Sequence, residues 1–231
     1  MIRLAARLTL LLCLAASPVR AEPFADYLET LRPAARSRGV SDAVFDRAIA
    51  GLTPDPQVEA LTKRQPEFSR PIGSYLASAV STSRITSGRK ELEKAATTLQ
   101  AIEVRYGVPA EIVVAVWGVE SNFGASPGSK DVLRSLITLA YIGYRTDYFA
   151  REFVTALGIL QKGDVPRADM RGSWAGAMGQ TQFMPSSFEK FAVDFDGDGH
   201  RDIWRSLPDA LASTAKLSFA EWLAARPAMG L

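Results

Sequence analysis

The stretch that decides the fold runs from residue 112 to residue 124 and reads IVVAVWGVESNFG. Its first eight residues are apolar on every side of a helix, and this predicts a buried helix. Pro109 lies just upstream and suits a first helical turn. Glu120 therefore stands at the end of an apolar helix, and the spacing puts Val113 and Trp117 on its face.

The carboxyl of Glu120 has two interpretations. Burial disfavours an ionised carboxylate and raises its pKa. A carboxylic acid that is still protonated near neutral pH can protonate a glycosidic oxygen. Alternatively, Glu120 is a solvated acid where the helix emerges, and Ser121, Asn122 and Gly124 are ordinary signals of a helix end. The helix alone does not decide between these interpretations.

A second unusual segment covers residues 172–185 and reads GSWAGAMGQTQFMP. Its glycines argue against a helix and predict a loop or a short hairpin. Aromatic faces such as that of Trp174 bind the apolar faces of sugar rings, and Ser173 and Gln182 can hydrogen-bond hydroxyl and acetamido groups. The alternative is that methionines such as Met178 fill a core and that the glycines only shape a turn.

The rest of the chain is mostly helical in its patterning, which predicts a mainly α protein with a small α+β element. Helices are expected directly after the N-cap Ser41 and over residues 89–106, 131–142, 147–161, 187–192 and 209–224. In the last of these helices, Leu211, Ala215, Phe219 and Trp222 recur at helical spacing and are expected to face inward.

Residues 1–21 have the layout of a secretory signal peptide. Two arginines precede the apolar run 8–16, which is too short to span a bilayer, and the small residue Ala21 ends the segment. The alternative is a buried N-terminal helix. Cleavage after Ala21 would leave residues 22–231, which are enough for one domain with its own core.

Cysteine use and net charge limit the classes of function. Cys13 is the only cysteine of the 231-residue chain, so residues 22–231 offer no disulfide, thiol nucleophile or cysteine metal ligand. The leucines at 10–12 do not form a lipoprotein cleavage box, so the sequence predicts a periplasmic protein with no membrane span after signal cleavage. A net charge of +2 gives no reason to expect a nucleic-acid partner.

Three blocks of the sequence together resemble the membrane-bound lytic murein transglycosylase B family. They are ESNFG at 120–124, AGAMG at 175–179 and QFMPSSF at 182–188. The resemblance extends from about residue 24 to residue 215. It implies a lysozyme-like helical domain with a small glycine-rich hairpin or loop region and an EF-hand-like loop.

The resemblance also implies roles for individual residues. In the family, the glutamate that matches Glu120 is the sole catalytic acid/base. The family's active-site serine and glutamine match Ser173 and Gln182, and a groove tyrosine matches Tyr148. Trp174 and Met178, from the same glycine-rich segment, complete the predicted substrate-binding set.

The family's substrate is the glycan of peptidoglycan, which is cut between N-acetylmuramic acid and N-acetylglucosamine. Many glycosidases use two carboxylates, one on each side of the bond, but neither active-site segment here contains a second acid. In the mechanism that the resemblance implies, Glu120 protonates the leaving oxygen and the sugar's acetamido group stabilises the positive carbon. Glu120 then takes the proton of the 6-hydroxyl, which closes a 1,6-anhydro ring without water.

Three other functions fit parts of the sequence. A lysozyme-type hydrolase would use the same Glu120 and release a reducing end. A non-catalytic peptidoglycan-binding module would need the groove without the acid. A calcium-binding structural protein would need only the acidic segment described next.

The acidic segment reads DFDGDGH at 194–200 and fits the opening of an EF-hand calcium loop. Asp194, Asp196 and Asp198 occupy positions 1, 3 and 5, and the backbone carbonyl of His200 falls at position 7. Hard oxygen ligands at this spacing suit Ca²⁺, for which we predict a structural site.

The end of the loop departs from the EF-hand pattern. Position 12 is Arg205 instead of a glutamate, while Asp202 at position 9 can contribute directly or through water. The family resemblance implies that the lengthened loop closes with Asp209. The alternative is a solvated acidic turn with no ion.

One departure from the family lies at the C-terminus. Family members usually continue well past the position of Ala215, with an Asn-Tyr-Leu run and another sugar-contacting lobe, whereas this sequence ends at Leu231. The sequence therefore predicts a catalytic domain over residues 22–231 that lacks this lobe, and little following chain to cover Phe219 and Trp222.

Overall fold

The computed structural model describes residues 23–63 and 71–225, so the predicted signal peptide lies outside the described residues. The described chain is mainly helical, as predicted. Its helices are α1 (Phe24–Thr30), α2 (Arg32–Ser37), α3 (Asp42–Ile49), α4 (Pro56–Thr62), α5 (Ile72–Ala79), α6 (Thr82–Lys94), α7 (Ala96–Tyr106), α8 (Ala110–Ser121), α9 (Val132–Tyr141), α10 (Thr146–Lys162), α11 (Pro185–Phe191) and α12 (Leu207–Ala225). No helix within these ranges is both long enough and apolar enough to cross a membrane.

Helix starts follow the capping chemistry of the sequence. The Ser41 hydroxyl accepts a hydrogen bond from the Val44 amide at 3.4 Å, which confirms the predicted N-cap of α3. Asp131 caps α9 in the same way by accepting from the Arg134 amide at 3.1 Å. The predicted ends of α9, α10, α11 and α12 all lie within two residues of the observed ones.

The glycine-rich segment forms a small hairpin region, as predicted. Strand β1 (Lys130–Asp131) pairs in antiparallel fashion with strand β2 (Arg171–Gly172). Isolated bridges then join Met178 to Gly172 and to Phe183. Backbone pairing therefore continues from the ribbon into the glycine-rich segment and gives it a fixed shape.

The larger apolar cluster, which we call the main core, is built around α9 and α10. Its largest fully buried side chains include Leu136 and Phe153. It is formed mainly by residues of α1–α4 and α9–α11, together with Val165, Met170, Met178, Phe183 and Ile203. The apolar stripe of α10 at helical spacing explains why this helix lies between α9 and α11.

A smaller cluster, which we call the second core, holds the decisive helix α8. It consists of Ala95, Leu99, Ile102, Val108, Val113, Val114, Trp117, Leu211, Ala212 and Ala215 from α7, α8, α12 and their connections. The prediction that α8 is buried on every side is wrong, because Ile112 and Val119 are each 50% exposed. Helices α6, α7 and α12 contact α8 and leave part of its surface to solvent.

Two further predictions about the second core need correction. The expected single helix over 89–106 is two helices, because Ala95 leaves helical geometry (φ −98°, ψ 12°) and turns its buried methyl group into the second core. In α12, Leu211 and Ala215 face inward as predicted, but Phe219 and Trp222 are exposed. The inward face of α12 therefore ends near the middle of the helix.

Candidate active site

Glu120 is the second-last residue of α8, at a sharply defined helix end. Asn122 adopts the left-handed conformation (φ 52°, ψ 51°) and stops the helix. The buried hydroxyl of Ser121 donates to the Trp117 carbonyl at 3.3 Å and accepts from the Gly124 amide at 3.1 Å. The hydrogen bonds of the buried Ser121 therefore fix the turn that follows Glu120.

The carboxyl of Glu120 has no hydrogen bond or ion pair to any residue in the described ranges. The surrounding protein removes part of its water, and this burial raises the pKa of Glu120 above the ordinary value. The side chain nevertheless remains exposed on one side. Glu120 is thus an accessible carboxyl that holds its proton to higher pH than a solvated glutamate does.

Phe123 folds back over α8 and explains a glycine in the middle of this helix. Its ring meets the Trp117 ring edge-on, with the centroids 5.5 Å apart. A methyl group added at Gly118 would lie 2.6 Å from the Phe123 ring, so only glycine leaves room for it. A methyl group at Gly88 of α6 would lie 3.4 Å from the same ring.

The loop after α8 and the glycine-rich segment form one unit. The side-chain amide of Gln182 donates to the carbonyls of Pro127 at 2.8 Å and Gly179 at 2.9 Å. Gly128 (φ +86°) approaches the backbone of Gly172 so closely that a methyl group would lie 2.2 Å from its carbonyl carbon. The structure therefore brings together the two segments that the sequence singled out separately.

Gln180 is a site residue that the sequence reasoning missed. Its side-chain oxygen accepts from the Trp117 indole N–H at 3.1 Å, and its side-chain nitrogen donates to the Trp204 carbonyl at 3.2 Å. Both partners are distant in sequence, so no local pattern could have identified the role of this glutamine.

The predicted substrate-binding residues are partly exposed, except for one. Ser173 accepts from the Ala177 amide at 3.1 Å and, like Trp174 and Gln182, is half-buried. Met178 is 0% exposed and lies in the main core, so its side chain does not reach a ligand in this conformation. The alternative that the sequence allowed, a core-filling methionine, agrees with this burial.

Tyr148 lies on the first turn of α10 beside an arginine. Its ring packs edge-on against Phe149, with the centroids 5.0 Å apart, and the Arg145 guanidinium lies 4.3 Å from the Tyr148 centroid. Burial, and to a lesser extent the charge of Glu152, raise the pKa of Tyr148. Its hydroxyl therefore stays protonated and able to donate a hydrogen bond at neutral pH.

Backbone strain is concentrated in the same region. The non-glycine residues with positive φ in the described chain are Asn122, Phe123, Arg145 and Gln182. Three belong to the two active-site segments, and Arg145 precedes α10 near Tyr148. Such conformations cost about 1–3 kcal/mol each and cluster at functional sites.

A buried carboxylate elsewhere supports α11. Glu152 of α10 accepts from the Ser186 amide at 2.9 Å and from the Ser186 hydroxyl at 2.7 Å. Ser186 is in the first turn of α11, whose own N-cap, Met184, has no capping side chain. Glu152 therefore caps α11 from another helix, which the sequence analysis did not predict.

The acidic segment places three carboxylates together. Asp194, Asp196 and Asp209 each have an oxygen within 4.8 Å of the others. Asp209 is fully buried and accepts hydrogen bonds from the backbone amides of Phe195, Asp196 and Asp202 at 2.7–3.3 Å. Oxygens this close can share one Ca²⁺, which binds oxygen at about 2.3–2.6 Å.

Other predicted ligands lie outside this group of three. The Asp198 carboxylate lies outside the group and accepts from the His200 amide at 2.8 Å. His200 is exposed, and its predicted ligand, the backbone carbonyl, stays a prediction. Asp202 lies outside the group as well, and its Oδ1 accepts from the amides of Trp204 and Arg205, both at 2.9 Å, in the turn that follows the loop.

Comparisons with known proteins find relatives of this chain among lytic transglycosylases. The chain is 43% identical over 111 residues to membrane-bound lytic murein transglycosylase B of Escherichia coli (strain K12), a match that covers 48% of this chain and 30% of that protein. The crystal structure of SltB3 from Pseudomonas aeruginosa in complex with NAG-anhNAM-pentapeptide is similar with a TM-score of 0.81 and 49% identity, over 85% of this chain and 52% of SltB3.

A third relative, the Escherichia coli lytic transglycosylase Slt35 in complex with calcium, matches with a TM-score of 0.74 and 29% identity, over 86% of this chain and 62% of Slt35. The chain thus spans about half the length of SltB3, the first of these solved relatives. The model of the transglycosylase SLT domain matches residues 23–229. These matches confirm the resemblance noted in the sequence and the lysozyme-like fold that it implied, and this chain belongs to the transglycosylase SLT domain family.

Proposed function

We propose that this chain is a peptidoglycan lytic transglycosylase that cleaves the bond between N-acetylmuramic acid and N-acetylglucosamine and leaves 1,6-anhydro-N-acetylmuramic ends. The observation that carries the proposal is Glu120: an accessible carboxyl with no protein partner in the described ranges and a raised pKa. It lies at the end of α8 in a chain of the transglycosylase family.

Glu120 first acts as a general acid. Its proton moves to the glycosidic oxygen, the bond from that oxygen to the anomeric carbon breaks, and the substrate's acetamido group stabilises the positive carbon. The Glu120 carboxylate then takes the proton of the 6-hydroxyl, whose oxygen bonds to the anomeric carbon. Glu120 ends the cycle protonated, so one carboxyl is sufficient and no water is consumed.

The hydrogen bonds of the acidic segment support a mechanism with one acid. Asp194 accepts from the amides of Gly197 and Gly199, and Asp196 accepts from the Asp198 amide and the Ser206 hydroxyl. These carboxylates serve their own loop, as hydrogen-bond acceptors and as the calcium ligands proposed below. They are therefore poor candidates for the second acid of a two-carboxylate glycosidase.

We assign substrate binding to Ser173, Trp174, Gln182 and Tyr148. The half-buried Trp174 offers an aromatic face for a sugar ring. Gln182 uses its amide nitrogen within the protein, which leaves its side-chain oxygen as an acceptor for a hydroxyl or acetamido N–H. Met178 is fully buried, and we assign it to the core.

Asp194, Asp196 and Asp209 would hold a structural Ca²⁺, and the calcium complex of Slt35 supports this part of the proposal. The ion would neutralise three clustered carboxylates and take no part in the chemistry at Glu120. Calcium should raise Tm, by an amount equivalent to about 2.7 kcal/mol of added stability at 100-fold over Kd. Asp209→Asn should lose this response, and an unchanged Tm in calcium and in chelator would remove the ion from the account.

The proposed substrate lies outside the cytoplasmic membrane, so the proposal includes export to the periplasm by residues 1–21. N-terminal sequencing of the protein recovered from the periplasmic fraction should begin at Glu22. A mature chain that still begins at Met1 would contradict this assignment.

Product analysis tests the proposed reaction. Purified peptidoglycan is incubated with the full chain, and the released fragments are identified by mass spectrometry. Fragments that end in 1,6-anhydro-N-acetylmuramic acid are expected, because the 6-hydroxyl and not water attacks the anomeric carbon. Reducing N-acetylmuramic ends would identify a hydrolase, and tight binding without any cleavage would identify a binding module.

A further inference from the structure

The side-chain amide of Gln180 joins three parts of the molecule. Its oxygen accepts from the indole N–H of Trp117, which lies one helical turn before Glu120. Its nitrogen donates to the Trp204 carbonyl, and its backbone amide donates to the Ile203 carbonyl at 2.9 Å. A single residue thus ties α8 to the segment that follows the acidic loop.

The contact with Trp117 is held firmly. Trp117 is 3% exposed, so its indole N–H would have no partner in water if Gln180 moved away. A buried donor without a partner costs about 1–3 kcal/mol. Gly124 (φ +77°) also lies against this amide, since a methyl group added there would be 2.6 Å from the Gln180 side-chain oxygen.

The other end of the tie is anchored as well. The Trp204 amide donates to Asp202 at 2.9 Å, and the Asp202 amide donates to the buried Asp209 carboxylate at 2.9 Å. The Trp204 indole donates to the Arg171 carbonyl at 2.8 Å, at strand β2. The carbonyl that receives the Gln180 nitrogen is therefore a fixed point between the acidic loop and the glycine-rich segment.

We propose that Gln180 is a positioning residue that sets the place of the Glu120 carboxyl against the glycine-rich segment through its hydrogen bond to the Trp117 indole. The inference rests on the proposed function of Glu120 as the proton donor. A second link between α8 and the glycine-rich segment, the hydrogen bond of Gln182 to the Pro127 carbonyl, acts through the turn at residues 122–128 and not directly on α8. Proton transfer depends steeply on distance, and a shift of about 1 Å at a reacting group can lower the rate about 100-fold.

Two substitutions remove the hydrogen bond from opposite ends. Gln180→Met keeps the length of the side chain and loses both polar atoms. Trp117→Phe keeps an aromatic ring in the second core and loses the N–H together with part of the larger indole ring. Each single variant should lower kcat for peptidoglycan cleavage, by up to about 100-fold, with KM little changed. The double variant should be no worse than the more impaired single variant, because both remove the same bond.

Gln161→Met is the matched control. Gln161 also ties two elements together through its side chain, since its oxygen accepts from the amide and hydroxyl of Ser41 at 2.9 and 3.0 Å. It lies at the end of α10, in contact with α3 and away from α8. Gln161→Met should lower Tm and leave kcat unchanged. If Gln180→Met and Trp117→Phe behave like this control, or if their effects on kcat simply multiply, Gln180 does not position Glu120.

A spectroscopic readout separates this inference from the proposed function. The chain has four tryptophans, so a ¹⁵N-labelled sample gives four indole N–H signals by NMR, and Trp117→Phe identifies that of Trp117. This signal should move upfield in Gln180→Met and stay in place in Gln161→Met. An unmoved signal in Gln180→Met would overturn the bond itself. If Glu120→Gln, measured in parallel, keeps its turnover, the proposed function fails; if it loses turnover while Gln180→Met keeps a normal kcat, only the positioning role fails.

Discussion

The main core and the second core differ in how completely they are covered. The large apolar side chains that are exposed in the described chain lie on α5–α8 and α12, apart from Val80 directly after α5, and α7, α8 and α12 build the second core: Ile72, Leu76, Val80, Ile85, Val104, Ile112, Val119, Phe219, Trp222 and Leu223. None of these exposed side chains belongs to α1–α4 or α9–α11. Glu120 thus lies on α8, a helix with exposed apolar side chains. The glycine-rich segment instead packs against the main core, through Met178 and Phe183.

Two apolar grooves border α8. One of about 410 Å³ is lined by Val108, Ile112, Phe219 and Trp222 where α7, α8 and α12 meet. The other groove, of about 270 Å³, lies between α6 and α8 and extends along α8 from Glu111 to Val119. Apolar side chains in contact with water add little to stability. Hydrogen bonds at the end of α8 therefore help to hold this helix in place, in addition to the apolar side chains that it does bury.

The largest difference in unfolding free energy is expected between a variant of the buried Phe153 and a variant of the half-exposed Ile112. Phe153→Ala empties a fully buried position in the main core and should cost about 3–5 kcal/mol of unfolding free energy. Ile112→Ala on α8, the helix of the second core, should cost less than about 1 kcal/mol, because half of the side chain is already in water. Urea unfolding measures both variants. Equal losses would mean that the two cores do not differ in the way described.

The next effect concerns the hydrogen bonds by which Glu152 of α10 caps α11. Glu152→Ala leaves the first turn of α11 without its cap and should cost about 1–3 kcal/mol. Glu189→Ala is the control on α11 itself, since Glu189 makes only partly exposed ion pairs with Arg38 and Lys162. It should cost no more than about 1 kcal/mol. A larger loss in Glu189→Ala than in Glu152→Ala would contradict the capping role.

Local sequence patterns predicted much of the fold, because the information needed was local. Pro109 and the polar stop after Glu120 set the ends of α8, and Ser41 set the start of α3. The exposure of Ile112 and Val119 could not be predicted, since an all-apolar run does not say which of its sides neighbouring helices cover. The break at Ala95 also depends on tertiary packing, because alanine itself favours a continuous helix.

The site was predictable as two segments and not as a network. Glu120 follows a long apolar run and residues 172–185 are rich in glycine, so both could be identified from the sequence and from the family resemblance. Gln180 and Glu152 act on Trp117 and Ser186, at sequence separations of 63 and 34 residues. The residues next to a glutamine or glutamate in the sequence do not indicate such a distant hydrogen-bond partner. Met178 could be assigned from the sequence either to a core or to a sugar site, since thioethers suit both, and its burial favours the core.

The smallest predicted effect is the pH dependence of stability at Glu120. Burial raises the pKa of Glu120 above its ordinary value of 4.5 in the folded chain. The folded state therefore binds this proton more tightly than the unfolded state, and the resulting stability is present below the ordinary pKa and lost as pH rises through the folded pKa. Glu120→Gln should melt slightly higher than the unchanged chain at neutral pH and equally at acidic pH. A lower Tm at neutral pH would mean that the folded state stabilises the carboxylate.

The two glutamates at opposite ends of α8 allow the most direct test of the central claim, that Glu120 is the proton donor. Glu111 is exposed in the first turn of α8, and Glu120 lies at its end. Turnover of purified peptidoglycan is measured for Glu120→Gln and Glu111→Gln, with circular dichroism to verify that both are folded. Glu120→Gln should lose at least about 10²- to 10⁴-fold in kcat, because the amide has no proton to transfer, and Glu111→Gln should cleave at the normal rate. Near-normal turnover in a folded Glu120→Gln variant would contradict the account.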